Sequence, residues 1–258
     1  MTKKAKVRLY FLLILSQKFF KMDYNDHEVL DSGQSVAEMT RTFFANVYKY
    51  MFLALSISGV LAYVSAKSGW YLEIAFNSEG GMAPMGWIIM FAPLACVLFL
   101  QSRIKKMPFS SVLGLYILYS VLICVSLSFV FLIYSNASIV STFFITAGTF
   151  GAMAVIGYTT KMDLSKMGSL LWMVFIGMFI ASIVNIMLGS STLGWIISFL
   201  GLFVFTGLTA WEMQRLKIVA MTPDMPEEIR SKQELMGGLT LYILFINLFL
   251  TILRFVER

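Results

Sequence analysis

Few residues in this chain could do chemistry, and where they fall limits what that chemistry can be. Most of the sequence is apolar, and an ionisable side chain within an apolar stretch is costly enough in lipid to count as a functional candidate. The clearest is Glu212, in Thr209-Ala210-Trp211-Glu212-Met213-Gln214-Arg215. Counted from Gly194 at about 1.5 Å per residue, it lies about 27 Å along its helix, near the edge of a roughly 30 Å hydrocarbon core. Arg215 follows three residues later on the same helical face and could neutralise it there as an interfacial pair. The alternative aims the carboxylate into the bundle as a cation or proton site, closed by a basic residue from another helix. Lys49 sits one turn into the first apolar stretch, where its long stem can reach the headgroups, and Arg254 sits near the end of the last. Asn185, Asn247, Thr146 and Tyr242 read as interhelical hydrogen-bond partners.

What is missing excludes whole classes of enzyme. The sole histidine, His27, lies in the polar N-terminal stretch. A Ser–His intramembrane protease, a multi-histidine metallohydrolase and a histidine-ligated haem each need histidine inside the apolar part. Cys96 and Cys124 lie in separate apolar runs, without metal-ligand spacing, and read as small hydrophobes. No glycine-rich loop follows a strand to hold a phosphate. The expectation is a protein that is not an enzyme and carries no cofactor.

The elements that must position these residues follow from composition. Of 258 residues, 59% are hydrophobic and 13% charged, against about 25% charged in a soluble domain. That excess of apolar side chains points to an all-α integral membrane protein. Apolar stretches at Phe43–Ala66, Met85–Leu100, Val112–Tyr134, Ile139–Thr159, Ser169–Leu188, Gly194–Leu216 and Met236–Phe255 predict seven transmembrane helices. The connectors SNAS and GSST allow only tight turns between antiparallel helices. Small residues within the stretches, such as Gly148, Gly151, Gly157, Gly201 and Gly207, suit close helix packing.

Residues 1–42 form a polar N-terminal segment and residues 43–258 the transmembrane domain. The first 21 residues read either as a leader ahead of a natural start at Met22 or as an amphipathic anchor lying on the membrane surface. Arg103, Lys105, Lys106, Lys161, Lys166, Arg215, Lys217, Arg230 and Lys232 all flank alternate connectors, while the opposite side holds only Lys67. By the positive-inside tendency the N-terminus is cytoplasmic. The same bias accounts for the net charge of +6, so no nucleic-acid partner is needed.

Several stretches resemble the Bax inhibitor-1 family of transmembrane Bax-inhibitor-motif proteins, especially its bacterial branch. They begin at VYKYMFLALSISGVLAY (Val47–Tyr63) and are densest across SNASIVSTFFITAGTFGAMAVIGYTTKMDLSKMGSLL (Ser135–Leu171). They continue through IASIVNIMLGS, FTGLTAWEMQRLK and LTLYILFINLFLTILRF, and so cover nearly everything after about Arg41. The resemblance implies six helices around a central seventh in the bacterial inner membrane. It also implies one of two roles. One is a pH-sensitive calcium leak channel, and the other is a partner that modulates a membrane-bound AAA protease.

In the channel picture, acids on the sixth and seventh helices share protons, and an arginine ending the second helix closes the pore. By position the sixth-helix acid falls on Glu212, a Glu where the family usually has Asp, and the arginine falls on Arg103. The seventh-helix acid falls on Leu244, where LYILFINLF replaces the family pattern LYLDFINLF. Two carboxylates in contact cannot both ionise cheaply, and that coupling gives the pair its pH sensitivity. With Leu244 in place, the expectation is a pH-insensitive calcium leak or a protein that does not transport.

Overall fold

A computed structural model of the chain describes residues 3–69, 83–222 and 225–256, with side chains from Val36 onward except Met90. The side chains of His27 and of the residues behind the leader and anchor readings lie outside the described ones. The elements are α1 (Lys3–Ser68), α2 (Pro84–Arg103), α3 (Phe109–Ile133), α4 (Asn136–Thr159), α5 (Ser165–Leu188), α6 (Ser191–Ala220) and α7 (Glu227–Val256). Among the described residues, seven stretches are long and apolar enough to cross a membrane, the first being Val36–Ser68 within α1. Each apolar stretch expected from the sequence lies inside one of these helices, except that Val112–Tyr134 overruns α3 by its last residue, Tyr134. Helices satisfy their backbone groups internally, which a lipid environment demands.

The two short connectors are built by their own side chains. The Ser135 hydroxyl accepts the N–H of Ser138 at 3.1 Å, and Ser190 accepts that of Leu193 at 3.3 Å. Gly189 closes α5 in the left-handed region at φ +61°, where a residue without Cβ is favoured, and donates its N–H to the Asn185 carbonyl. Between α4 and α5 the Asp163 carboxylate accepts the N–H of Ser165, and bonding from the Ser165 hydroxyl and then this N–H holds its carboxyl below the usual carboxylate range. Gln214 of α6 clamps the same connector, accepting from Leu164 N–H at 2.8 Å and donating to the Met162 carbonyl at 2.7 Å. Because successive helices run antiparallel through these turns, the connectors after α2, α4 and α6 gather at one end. That end carries most of the lysines and arginines.

Burial ranks the helices. Within the apolar window of each, 56% of α7 is buried inside the protein but only 6% of α5. The last helix packs mainly against α1, α3, α4 and α6, while α2 rests chiefly on α3 and α5 on α6. Close approach is achieved at particular glycines. A Cβ on Gly157 would fall 2.1 Å from the Ala210 carbonyl oxygen, so α4 and α6 touch backbone to backbone there. A Cβ on Gly238 of α7 would meet the Val47 carbonyl of α1 at 2.8 Å. Gly148 and Gly151 have nothing within 4 Å of such an atom and take no part in this packing, contrary to the reading of that whole run as a contact surface.

Two of the four in-span polar groups also differ from expectation. Thr146 and Asn247 bond back to carbonyls of their own helices, at Thr142 and Ile243. Bonds that do cross helices within the spans include those from Tyr116 to the Tyr50 carbonyl, from Ser128 to the Ala62 carbonyl at 3.2 Å and from the Tyr48 hydroxyl to the Met213 sulfur at 3.7 Å. A Ser or Thr hydroxyl has a carbonyl of its own helix one turn back within reach, so it crosses only where a neighbouring backbone comes closer. Gly157→Ala is expected to destabilise the protein by about 1–3 kcal/mol, the usual cost of overpacking. Gly148→Ala should be neutral or gain up to about 1 kcal/mol from helix propensity. Thermal denaturation of both variants in one detergent will check the contrast.

Candidate functional site

A cavity of about 370 Å³ opens among α2, α5, α6 and α7 toward the basic end. Its lining follows helical spacing: Leu208, Trp211, Glu212 and Arg215 on α6, and Gln233, Met236, Thr240, Leu244 and Asn247 on α7. Trp172 and Phe175 close it on the α5 side, and Gln101 contributes from the last turn of α2. One wall is therefore apolar and aromatic, while amides, a hydroxyl and one ion pair supply the polar groups. The cavity lies next to the most buried helix, within reach of the basic end.

Glu212 is 1% exposed, about 12 Å before the end of α6 by helical rise. Its partner is Arg215. The guanidinium Nη2 donates to Oε1 at 2.5 Å and Nε to Oε2 at 2.9 Å, a two-pronged pair three residues apart. The Arg215 side chain remains 44% exposed and lies over the Trp211 ring, 5.8 Å from its centroid. Trp211 is itself fixed against α5, where a Cβ on Gly168 would fall 2.3 Å from the indole. Carboxylate, guanidinium and indole thus form one unit on one helix, backed by α5.

Both sequence readings of Glu212 were half right. The carboxylate faces the interior, as the cation-site reading requires, yet its counter-charge is the local Arg215 and not a residue of another helix. Arg103 is exposed at the end of α2 and makes no ion pair among the described residues. A residue three positions away on the same helix needs no helix movement to reach, which is why the counter-charge comes from Arg215. Leu244 is 5% exposed and lines the same cavity as Glu212.

A second buried carboxylate escaped the sequence reading. Glu234 is 6% exposed on the side of α7 that faces α1. Asn46 of α1 donates from Nδ2 to Glu234 Oε2 at 3.0 Å and accepts from Lys49 Nζ at 3.0 Å, bridging the two charges. Gln233, one residue earlier, faces the cavity, so Glu212 and Glu234 lie against different faces of α7. Glu234 was missed because the expected seventh span begins at Met236, whereas α7 starts at Glu227. Its polar first turns are supported by a Glu228–Lys232 pair at 2.7 Å. The signal was a carboxylate one turn ahead of an apolar run with no break between them.

Among the described residues, no three or more His, Cys, Asp or Glu side chains gather as a metal cluster. The cavity can offer a cation one carboxylate and several neutral oxygens. Asn46→Leu, which strips Glu234 of its bond while leaving it buried, is expected to cost about 1–3 kcal/mol. The double variant Asn46→Leu/Glu234→Leu should recover most of that loss, and a double-mutant cycle on thermal stability would measure the recovery.

Residues 40–258 match the family model described as Inhibitor of apoptosis-promoting Bax1. The chain is 41% identical over 215 residues to the inner membrane protein YbhL of Escherichia coli K12, covering 83% of this chain and 90% of that protein. It is 41% identical over 216 residues to a protein of Borreliella burgdorferi, covering 84% and 91%. An uncharacterised membrane protein of Streptococcus pyogenes serotype M1 is 28% identical over 234 residues, covering 91% and 99%. With its seven apolar helices and a match running through all of them, this chain is a multi-pass membrane protein that belongs to the Bax inhibitor-1 family.

Proposed function

We propose that this protein is a passive cation leak, with calcium as the permeant ion, whose route passes the cavity holding Glu212. The observation that carries the reading is a carboxylate 1% exposed in a cavity lined by Gln101, Gln233, Thr240 and Asn247. A buried charge in a spanning helix is expensive and marks an ion pathway more often than a packing role. Calcium takes six to eight oxygen ligands when held firmly. One carboxylate with neutral oxygens binds more weakly, which suits passage, since a permeant ion must leave as well as enter.

In the closed state Arg215 occupies both oxygens of Glu212 and leaves none for a cation. Its guanidinium has solvent to turn toward, because the side chain is 44% exposed, so opening is a rotamer change that frees the carboxylate. Arg103, next to the cavity-lining Ile104, is a second closing cation that can engage Glu212 in another state. Leu244 removes the like-charge neighbour, so flux should vary little with pH around neutrality.

A second reading, a non-transporting bundle that binds a membrane-bound AAA protease or another membrane partner, is favoured by that same Leu244 and by the occupied carboxylate. Liposomes holding a calcium dye separate the two. For a leak, flux exceeds that of protein-free vesicles, Glu212→Gln abolishes it and Arg215→Gln raises it severalfold. Flux equal to empty vesicles for the folded wild type would remove the channel reading and leave the partner-binding one, to be sought by copurification from native membranes. Leu244→Asp is expected to add a pH dependence to the flux, because a second carboxylate then shares the cavity with Glu212. A folded Leu244→Asp protein with an unchanged profile would show that the two positions do not couple.

A further inference from the structure

On the far side of α6 from Glu212 lies a larger groove, about 640 Å³, between α1, α4 and α6 at the basic end. Its walls are apolar, built from Val36, Phe44, Ala154, Val155, Met213 and Met221. Tyr48 and Tyr158 also line it, side chains that suit the level where lipid headgroups meet hydrocarbon. Along α1 the lining runs from Val36 to Tyr48, roughly 18 Å of helix, enough for a headgroup and the first carbons of its acyl chains.

The charge at its mouth has one sign. Arg41 lines the groove, is exposed and makes no ion pair among the described residues. Lys217 stands behind Tyr158, its Nζ 2.9 Å from that residue's carbonyl and 4.8 Å from the ring centroid. Among the described residues no carboxylate lines the groove, and Glu38, one turn before Arg41, is not part of its surface. The bilayer surrounds this bundle, so a lipid is the occupant at hand, and basic pockets between spanning helices select anionic headgroups.

We propose that this groove seats an anionic phospholipid, its phosphate on Arg41 and an acyl chain against the apolar wall shared by α1 and α4. The site is independent of ion passage, since α6 separates it from Glu212. The test is native mass spectrometry of the full chain in mild detergent, with phosphatidylglycerol and phosphatidylcholine added at equal concentration. Retention of phosphatidylglycerol over phosphatidylcholine is expected, and Arg41→Gln should cut that preference about fivefold, matching ~1 kcal/mol per basic side chain at a membrane surface. Ala37→Trp, which fills the groove from an exposed position, should remove the bound lipid, while Lys105→Gln should leave it unchanged. Equal retention of the two lipids, an unaltered preference in Arg41→Gln, or an equal loss in Lys105→Gln would overturn the site. The last result would mean a diffuse surface potential and no groove. If Ala37→Trp does not fold, the Arg41→Gln and Lys105→Gln comparison decides by itself.

Discussion

A carboxylate enclosed by hydrocarbon side chains must have its counter-charge supplied before the helix carrying it can settle. Removing an ion from water costs several kcal/mol, and only a well-aligned partner offsets that cost. Glu212 meets the condition within its own helix, through a guanidinium three residues later that grips both oxygens. The helices around it are then free to be apolar. Leu244 can face the cavity without leaving a charge unmatched, and α5 can present most of its surface to lipid while Trp172 and Phe175 close the cavity wall.

Glu234 meets the same condition by the opposite route. Its hydrogen bond comes from α1, through an asparagine that also holds Lys49, so this carboxylate ties two helices together at the basic end. Self-contained pairs can change rotamer without disturbing the bundle, whereas a pair bridged across helices cannot. That difference is the physical reason for placing movement at Glu212 and rigidity at Glu234. The close backbone contacts of Gly157 with Ala210 and of Gly238 with Val47 add to the rigid part, fixing α6 and α7 against α4 and α1. Side chains at the protein's rim, such as the exposed Arg215, are what is left to move.

The grooves on the two sides of α6 differ in kind. One, beside α7, encloses a neutralised acid among amides and aromatics. The other, beside α1, is apolar with an unmatched Arg41 at its mouth. A single helix separates a cavity that holds a paired acid from a groove that holds an unpaired arginine, and that difference in charge distinguishes them. Nothing in the shared apolar character of the walls would have separated them.

Composition and spacing were enough to establish seven apolar helices, their short connectors, the clustering of basic residues on alternate loops and the oddity of Glu212. Each is a local property, fixed by helix length, turn chemistry and the cost of a charge in lipid. The family motifs named the positions 103, 212 and 244, but motifs carry no distances. Only the tertiary structure decided that Arg215 and not Arg103 holds Glu212, that positions 212 and 244 share a cavity, and that Gly157 is a contact while Gly148 is not. It also disclosed Glu234, because the polar first turns of α7 have no apolar signal and are held in place by α1. Partner choice and burial depend on which helix faces of remote segments meet, and a periodicity of one segment holds no information about the face opposite.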